Sequence, residues 1–106
     1  MSPASLHVKD ITKTSLTLTW EPPLSGPEGI TGYNIERRLS NSDEWERVAR
    51  VPGKVLSHHL KGLKEGHAFF FRVTAENAAG TSKPTELRAP VELKGRKGQL
   101  SLPSSS

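Results

Sequence analysis

The chain has 106 residues and a formal net charge of +4, because it holds 15 Lys and Arg against 11 Asp and Glu. A chain of this length forms one domain with its own core. The absence of cysteine excludes disulfides, thiolate chemistry and a cysteine zinc cluster. The charge excess is small and partly lies in the last residues, so it indicates an ordinary surface and no nucleic-acid site.

Apolar and polar residues alternate in several short segments, which is the pattern of β-strands with one buried face. The first predicted strand contains Leu6 and Val8, and the second covers residues 15–20. Two prolines end the second strand, since proline donates no hydrogen bond to a β-ladder. The third strand is predicted over residues 30–38.

The fourth predicted strand covers residues 45–50, and a short fifth one contains Leu56 and Leu60. The sixth is the longest and alternates from Phe69 to Glu76. Two prolines in the seventh, at 84–92, suit an edge of a sheet. Seven short strands with turn signals about every 8–12 residues predict an all-β fold, a seven-stranded antiparallel β-sandwich.

These strands place the predicted domain at residues 4–92, after a short lead-in at 1–3. Residues 93–106 have no apolar period and are rich in Gly, Ser and basic side chains, so they are predicted to be a flexible tail or linker. Eight residues are singled out for the core: Leu18, Trp20, Tyr33, Ile35, Leu63, Phe69, Phe71 and Val73.

Several phrases of the sequence, in this order and spacing, resemble the fibronectin type III family. They are LTLTWEPP at 16–23, ITGYNIER at 30–37, Leu63 with Gly66, FRVTAEN at 71–77 and GTSKP at 80–84. The resemblance covers about Pro3 to Val91 and implies an immunoglobulin-like sandwich. The wording also resembles the subset found in titin, the myosin-binding proteins and related intracellular muscle scaffold proteins.

Phe69 departs from the family pattern. The family usually has tyrosine there, and its hydroxyl bonds back to the backbone at the corner before the long strand. The resemblance therefore implies a corner held by ring packing and Leu63. Trp20 is predicted to fill the centre of the core beneath Phe71 and Tyr33, and Trp45 to lie partly exposed against the sheet.

The sequence contains no catalytic constellation and implies no cofactor. His58 and His59 are adjacent on a predicted strand, so they point to opposite faces and cannot chelate one metal ion together. No carboxylate-rich ligand set accompanies the other histidines. No Gly-x-Ser-x-Gly elbow or phosphate-binding glycine loop occurs. We therefore expect a domain that is not an enzyme.

One outward face is the candidate protein-binding site. Phe70 is a large apolar residue on the outer side of the sixth strand, which hints at an interface. The alternative is that arginine side chains from the neighbouring strand cover it. The predicted face consists of Asn34, Glu36, Arg38, Phe70, Arg72 and Thr74. Separately, Arg37-Arg38-Leu39-Ser40 is similar to a basophilic kinase motif, so Ser40 is a candidate phosphorylation site.

Function is predicted from the resemblance as that of a structural spacer and protein-binding module in a large intracellular, sarcomeric or cytoskeletal chain. Its expected partners are other proteins, including filament proteins, and neighbouring domains, with no nucleic acid and no membrane, and the isolated domain is expected to be a monomer. The alternatives are an extracellular recognition module of an adhesion or signalling receptor and an accessory domain beside an enzyme such as a kinase.

Overall fold

The structure, a computed structural model, describes residues 2–24 and 29–93, and within them the chain forms strands and no helix. Every strand pair is antiparallel. The all-β antiparallel prediction is therefore confirmed. The strands are β1 Leu6–Lys9, β2 Leu16–Trp20, β3 Gly32–Leu39, β4 Glu46–Pro52, β5 Ser57–Leu60, β6 Ala68–Asn77, β7 Gly80–Thr81, β8 Thr85–Glu86 and β9 Val91–Glu92.

Two sheets make up the sandwich. The smaller sheet has the order β1-β2-β5, and the larger has the order β4-β3-β6-β7. The short strands β8 and β9 also pair with β6. Strand β6 is thus flanked by β3 on one side and by the last part of the described chain on the other, which makes it the centre of the larger sheet.

The number of strands differs from the predicted seven, since nine are present among the described residues. The difference arises at the end of the chain, where β7, β8 and β9 lie one after another along the same edge of β6. Pro84 and Pro90 stand between these short strands. Because proline has no amide hydrogen, the ladder is interrupted at these places.

The core lies between the sheets and follows the period of two. In β6, Phe69, Phe71, Val73 and Ala75 are buried, whereas the residues between them are partly exposed. All eight residues singled out for the core are less than a tenth exposed. The rings of Trp20 and Tyr33 are 5.6 Å apart at an angle of 59°, a tilted arrangement that aromatic pairs favour.

Leu93 belongs to this core, although the predicted tail began with it. Its side chain is fully buried, its amide donates to the carbonyl oxygen of His67, and its own carbonyl accepts from the amide of Gly66. Val91 and Leu93 are buried on either side of the exposed Glu92, so the period of two continues one residue beyond the predicted end of the last strand. The rest of the predicted tail, 94–106, lies outside the described residues.

Pro3 in the predicted lead-in is also buried, and its carbonyl oxygen accepts a hydrogen bond of 2.7 Å from the hydroxyl of Thr85. The amide of Ala4 donates to Glu21. The first described residues are therefore attached to both sheets. No helix in residues 2–24 and 29–93 has the length and apolar character needed to cross a membrane.

Candidate protein-binding face

The six residues of the predicted face form three cross-strand pairs between β3 and β6. Asn34 lies opposite Thr74, Glu36 opposite Arg72, and Arg38 opposite Phe70. Residues directly opposite each other in an antiparallel pair share a face, with Cβ atoms about 5 Å apart. All six side chains therefore start from one continuous surface on the outer side of the larger sheet, named here the β3–β6 face.

Asn34 does not offer its side chain to a partner, because it is only 7% exposed. Its amide nitrogen donates to Glu76 Oε1 at 3.4 Å, and its Oδ1 accepts from Arg47 Nη1 at 3.3 Å. The prediction of an exposed Asn34 is wrong, since longer side chains from β4 and β6 close over it. Its role in this face is to position Arg47 and Glu76.

Glu36 and Arg72 form the shortest ion pair of the described residues, with 2.6 Å between Arg72 Nε and Glu36 Oε1. Both side chains are about a quarter exposed, so solvent screens the pair less than it would a fully exposed one. The guanidinium of Arg72 also lies over the ring of Trp45, with 4.1 Å between Cζ and the ring centroid. Arg72 is therefore held on two sides.

Arg38 packs between two aromatic rings. Its Cζ is 4.4 Å from the ring centroid of Phe70 and 5.3 Å from that of Trp45, within the range of cation–π contacts. Its Nη1 donates to the carbonyl oxygen of Ser42 at 2.5 Å. Of the two interpretations of Phe70, the structure favours the one in which an arginine covers it.

Trp45, Arg38, Phe70 and Arg72 thus make one continuous layer of stacked rings and guanidinium groups, named here the aromatic–arginine strip. Trp45 is half buried, in agreement with its predicted place against the sheet. Sequence reasoning nevertheless left Trp45 out of the candidate face. The sequence had indicated a place near the arginine-bearing strand, but not the contacts with both arginines.

Arg47 and Arg50 complete the face, and sequence reasoning missed both. Arg50 lies opposite Asn34 and Arg47 lies opposite Glu36, so both side chains start from the β3–β6 face. Residues three apart in a regular strand point to opposite sides. The register shifts between Ile35 and Glu36, and this bulge places both arginines on the same side.

Arg50 ties the β4 edge to β6 through Glu76, with 2.9 Å between Arg50 Nε and Glu76 Oε1. Hydrogen bonds from Arg50 and then from Asn34 lower the pKa of Glu76 below its ordinary value. Gly32 permits this arrangement, because a Cβ at that position would come within 2.7 Å of the Arg50 guanidinium. The carboxylate therefore stays ionised and holds three strands together.

Two clefts open beside the strip. One, with a volume of about 410 Å³, is bordered by Arg37, Arg38, Leu39, Ser42, Glu44, Trp45, Glu46 and Phe69. The other, of about 380 Å³, is named here the arginine cleft and is bordered by Asn34, Glu36, Arg47, Arg72, Thr74, Thr81, Ser82 and Pro84. Arg72 contributes to both the strip and the arginine cleft, so the two features are contiguous.

Ser40 lies beyond the end of β3 and is exposed, and its amide donates to the carbonyl oxygen of Ala68 at 3.0 Å. The arginines before it are within a strand that pairs on both sides. Arg37 is bound to Glu46 at 3.4 Å and lies 5.2 Å over the ring of Phe69. The motif is therefore part of the folded sheet.

The histidines do not form a metal site in the described part of the chain. His58 is half buried opposite Leu18, whereas His59 is exposed with its Nδ1 3.0 Å from the Thr17 hydroxyl. Within residues 2–24 and 29–93 no three His, Asp or Glu side chains are placed to hold one ion.

Two packed antiparallel sheets with a core of alternating residues define the class of immunoglobulin-like β-sandwich domains. A family model described as fibronectin type III domain matches residues 1–90. The chain belongs to the fibronectin type III domain family.

The relatives of this chain include muscle proteins. It is 38% identical over 94 residues to myosin-binding protein C, fast-type, of Mus musculus, which covers 88% of the chain and 8% of that protein. It is 37% identical over 92 residues to M-protein, striated muscle, of Gallus gallus, with 85% and 6% covered. The chain thus spans a small part of these relatives.

A crystal structure of titin domains has the same fold. The TM-score is 0.78 at 33% sequence identity, and the match covers 88% of this chain and 32% of that one. The fold and the family predicted from the sequence are therefore confirmed.

Proposed function

We propose that the chain is a non-catalytic spacer and protein-interaction module of a large multidomain muscle protein, located in the sarcomere. The relatives support a module within a large protein, because the stretch that matches this chain makes up only 8% and 6% of the two muscle proteins compared. A domain of this size has its own core and is joined to its neighbours by exposed linkers, so such a module can set the distance between its neighbours and offer a surface for docking.

The spacer role is supported by how the two ends of the domain body are attached. Pro3 is bound to Thr85, which lies opposite Val73 of β6. Leu93 is bound to His67, just before β6 begins. The positions of Val73 and His67 are separated by about 20 Å along the chain, at about 3.3 Å per residue. Chain segments at the two ends are thus held apart by a hydrogen-bonded strand.

The observation that carries the interaction role is the aromatic–arginine strip. Tryptophan and arginine are the residue types most enriched among those that dominate binding energy in protein interfaces. Here they lie on an open sheet face and are held by stacking and by the ion pair of Arg72 with Glu36. Such a pre-ordered surface loses little conformational entropy when a partner binds.

The test is a pull-down from striated-muscle extract with the wild-type domain, a Phe70→Ala/Arg72→Ala variant and an Arg47→Glu variant. A His7→Ala/Lys9→Ala variant is the control, because both residues are exposed on β1 of the opposite sheet. Thermal melts establish that each variant is folded. Thick- or thin-filament proteins should be retained by the wild type and the control and lost by both face variants.

Two results would overturn the interaction role. One is retention of the same filament proteins by folded face variants, and the other is equal loss in the β1 control. Arg47 is exposed, so Arg47→Glu tests the face even where the double variant is destabilised.

A further inference from the structure

We infer that the partner segment docked on the β3–β6 face is acidic, and that one of its carboxylate side chains enters the arginine cleft beside Arg47. This inference rests on the proposed interaction role and specifies the chemistry of the partner.

The charges of the face are not balanced on its β4 side. Of the four arginines there, Arg72 is paired with Glu36 and Arg50 with Glu76. Arg38 and Arg47 form no ion pair with a described residue, and their recorded hydrogen bonds go to the neutral oxygens of Ser42 and Asn34. Arg47 also acts on Glu76 at longer range, where it helps to lower the pKa of that carboxyl. Neither Arg38 nor Arg47 has a described carboxylate in contact with its guanidinium, so both can still receive one from a partner.

These two arginines are close enough to act on one segment. Arg47 lies directly across from Glu36, and Arg38 is two residues beyond Glu36 on β3, so Arg47 and Arg38 are diagonal neighbours about 7–8 Å apart. An extended segment places alternate side chains at this spacing. Acidic residues at alternate positions could thus face Arg47 and Arg38 at the same time.

The arginine cleft offers the right groups for a carboxylate. Its lining residues include Arg47, Arg72, Thr74 and Thr81, whose side chains carry guanidinium and hydroxyl groups, and Glu36 is the only acidic residue among them. Since Glu36 is already neutralised by Arg72, the cleft keeps a net positive charge. Guanidinium groups bind carboxylates with two parallel hydrogen bonds.

The carboxylate of Glu86 sets the position of the partner. Glu86 on β8 lies opposite Arg72 on the same face, whereas Arg47 and Arg50 lie on β4 at the other edge. An acidic segment is therefore attracted to the Arg47 side of the arginine cleft and repelled from the β8 position next to Arg72, which favours a place near β4.

A protein partner is favoured over nucleic acid by the same distribution. A duplex presents a phosphate about every 1.7 Å along its axis, and a binding surface for it needs a continuous row of cations. Glu36, Glu76 and Glu86 interrupt the arginines of this face. Isolated carboxylates on a peptide, in contrast, can be matched to single arginines.

The experiment is a titration of the domain with a fluorescein-labelled peptide made of alternating Glu, Ser and Leu, followed by anisotropy at low salt. The same peptide with Gln in place of every Glu is the neutral probe, and a short duplex DNA is the polyphosphate probe. NMR spectra of the labelled domain report the indole N–H of Trp45 and the Arg Nε–H groups.

We expect the Glu peptide to bind, to shift the Trp45 and arginine signals, and to dissociate as sodium chloride is raised, because salt screens such contacts. The Gln peptide should not bind. Arg47→Ala should weaken binding by about tenfold or more, as expected for the loss of a charge-assisted contact with a carboxylate. Arg47→Lys should retain part of it, and Lys9→Ala on the opposite sheet should leave it unchanged.

Three results would overturn the inference: equal binding of the Gln and Glu peptides, an equal effect of Lys9→Ala and Arg47→Ala, or tighter binding of the duplex. If none of the probes binds the domain, the inference is overturned as well. Where the pull-down still depends on Phe70 and Arg72 but the Glu peptide does not bind, the acidic partner is wrong and the interaction role stands. Where the Glu peptide does not bind and the pull-down does not depend on Phe70 and Arg72 either, the acidic partner and the interaction role are both wrong.

Discussion

The guanidinium of Arg72 lies 4.1 Å from the centroid of the Trp45 ring, although Arg72 is in the middle of β6 and Trp45 stands just before β4. This contact joins the long central strand to the start of β4. It also connects the aromatic–arginine strip with the arginine cleft, because Arg72 borders both. A partner that touches either feature therefore acts on the same side chain.

The Trp45–Arg72 contact should be measurable as a coupling energy. In a double-mutant cycle of Trp45→Ala and Arg72→Ala, we expect the two losses of unfolding free energy to be non-additive by about 0.5–1 kcal/mol, the range of an exposed cation–π contact. Urea denaturation of the four proteins measures this. A matched cycle of Trp45→Ala with Lys9→Ala should be additive, and an additive Trp45–Arg72 cycle would contradict the contact.

Phe69→Tyr should stabilise the domain by about 0.5–1.5 kcal/mol, the net value of one hydrogen bond. Phe69 is 6% exposed, and a cleft bordered by Leu63, Lys64 and His67 adjoins its ring. A hydroxyl at this position therefore has room, and the family pattern places a tyrosine hydroxyl there to bond with the backbone of the corner. The midpoint of thermal or urea unfolding measures the change.

Phe71→Tyr is the matched control, since Phe71 is fully buried two residues further along the same strand. A hydroxyl in the core without a partner should destabilise by about 1–3 kcal/mol. A drop in stability of similar size for both variants would show that the corner has no place for the hydroxyl, and the assignment of Phe69 to the tyrosine position would be wrong.

The alternation of β6 illustrates what the sequence predicts well. A strand buried on one side requires apolar residues at every second position, so Phe69, Phe71 and Val73 identify the inner face and Phe70 and Arg72 the outer one. The predicted face grouped three outward residues of β3 with three of β6, and the observed register pairs them. Three of the cross-strand pairs on the face were therefore within reach of sequence reasoning.

Other features of the face depend on interactions that no local pattern contains. Arg47 and Arg50 share a side only because of the bulge opposite Ile35 and Glu36. Asn34 stands at a position of β3 whose side chain starts from the outer face, and yet two longer side chains bury it. Both outcomes are decided by side-chain length and register across strands, which the period of a single strand does not report.

Glu76 should contribute stability that is lost in acid. Its pKa in the folded protein is lowered, first by the hydrogen bond from Arg50 and then by that from Asn34. A group whose folded pKa is depressed stabilises the protein above its unfolded pKa, and this contribution disappears as the pH falls through the folded pKa. The melting temperature of the wild type should therefore fall as the pH decreases below about 4.5, the ordinary glutamate value.

Glu76→Gln should remove that part of the pH dependence, so the difference in melting temperature between wild type and variant should be largest near neutral pH and shrink in acid. Glu65→Gln is the control, because Glu65 is exposed and forms no ion pair among the described residues. A constant difference between Glu76→Gln and the wild type from neutral pH to strong acid would contradict the linkage.

Ser40 should be a poor kinase substrate in the folded domain, although Arg37 and Arg38 precede it. A kinase that reads basic residues binds its substrate as an exposed segment, whereas here Arg37 pairs with Phe71 on one side and Glu46 on the other. Removing these residues from the sheet would break the ladder on both sides of β3. A short peptide that covers residues 34–43 is free of that cost and should be phosphorylated much faster.

This expectation is tested by initial rates with a basophilic kinase. The substrates are the peptide, the folded domain and the urea-unfolded chain diluted into assay buffer. Ser40→Ala is the control for the identity of the site. Equal rates on the peptide and the folded domain would show that the strand end opens easily.

Where Ser40 is phosphorylated, a group of about −2 charge stands next to Arg38. It should then compete with the acidic peptide for the β3–β6 face and weaken binding of that peptide in the same anisotropy titration.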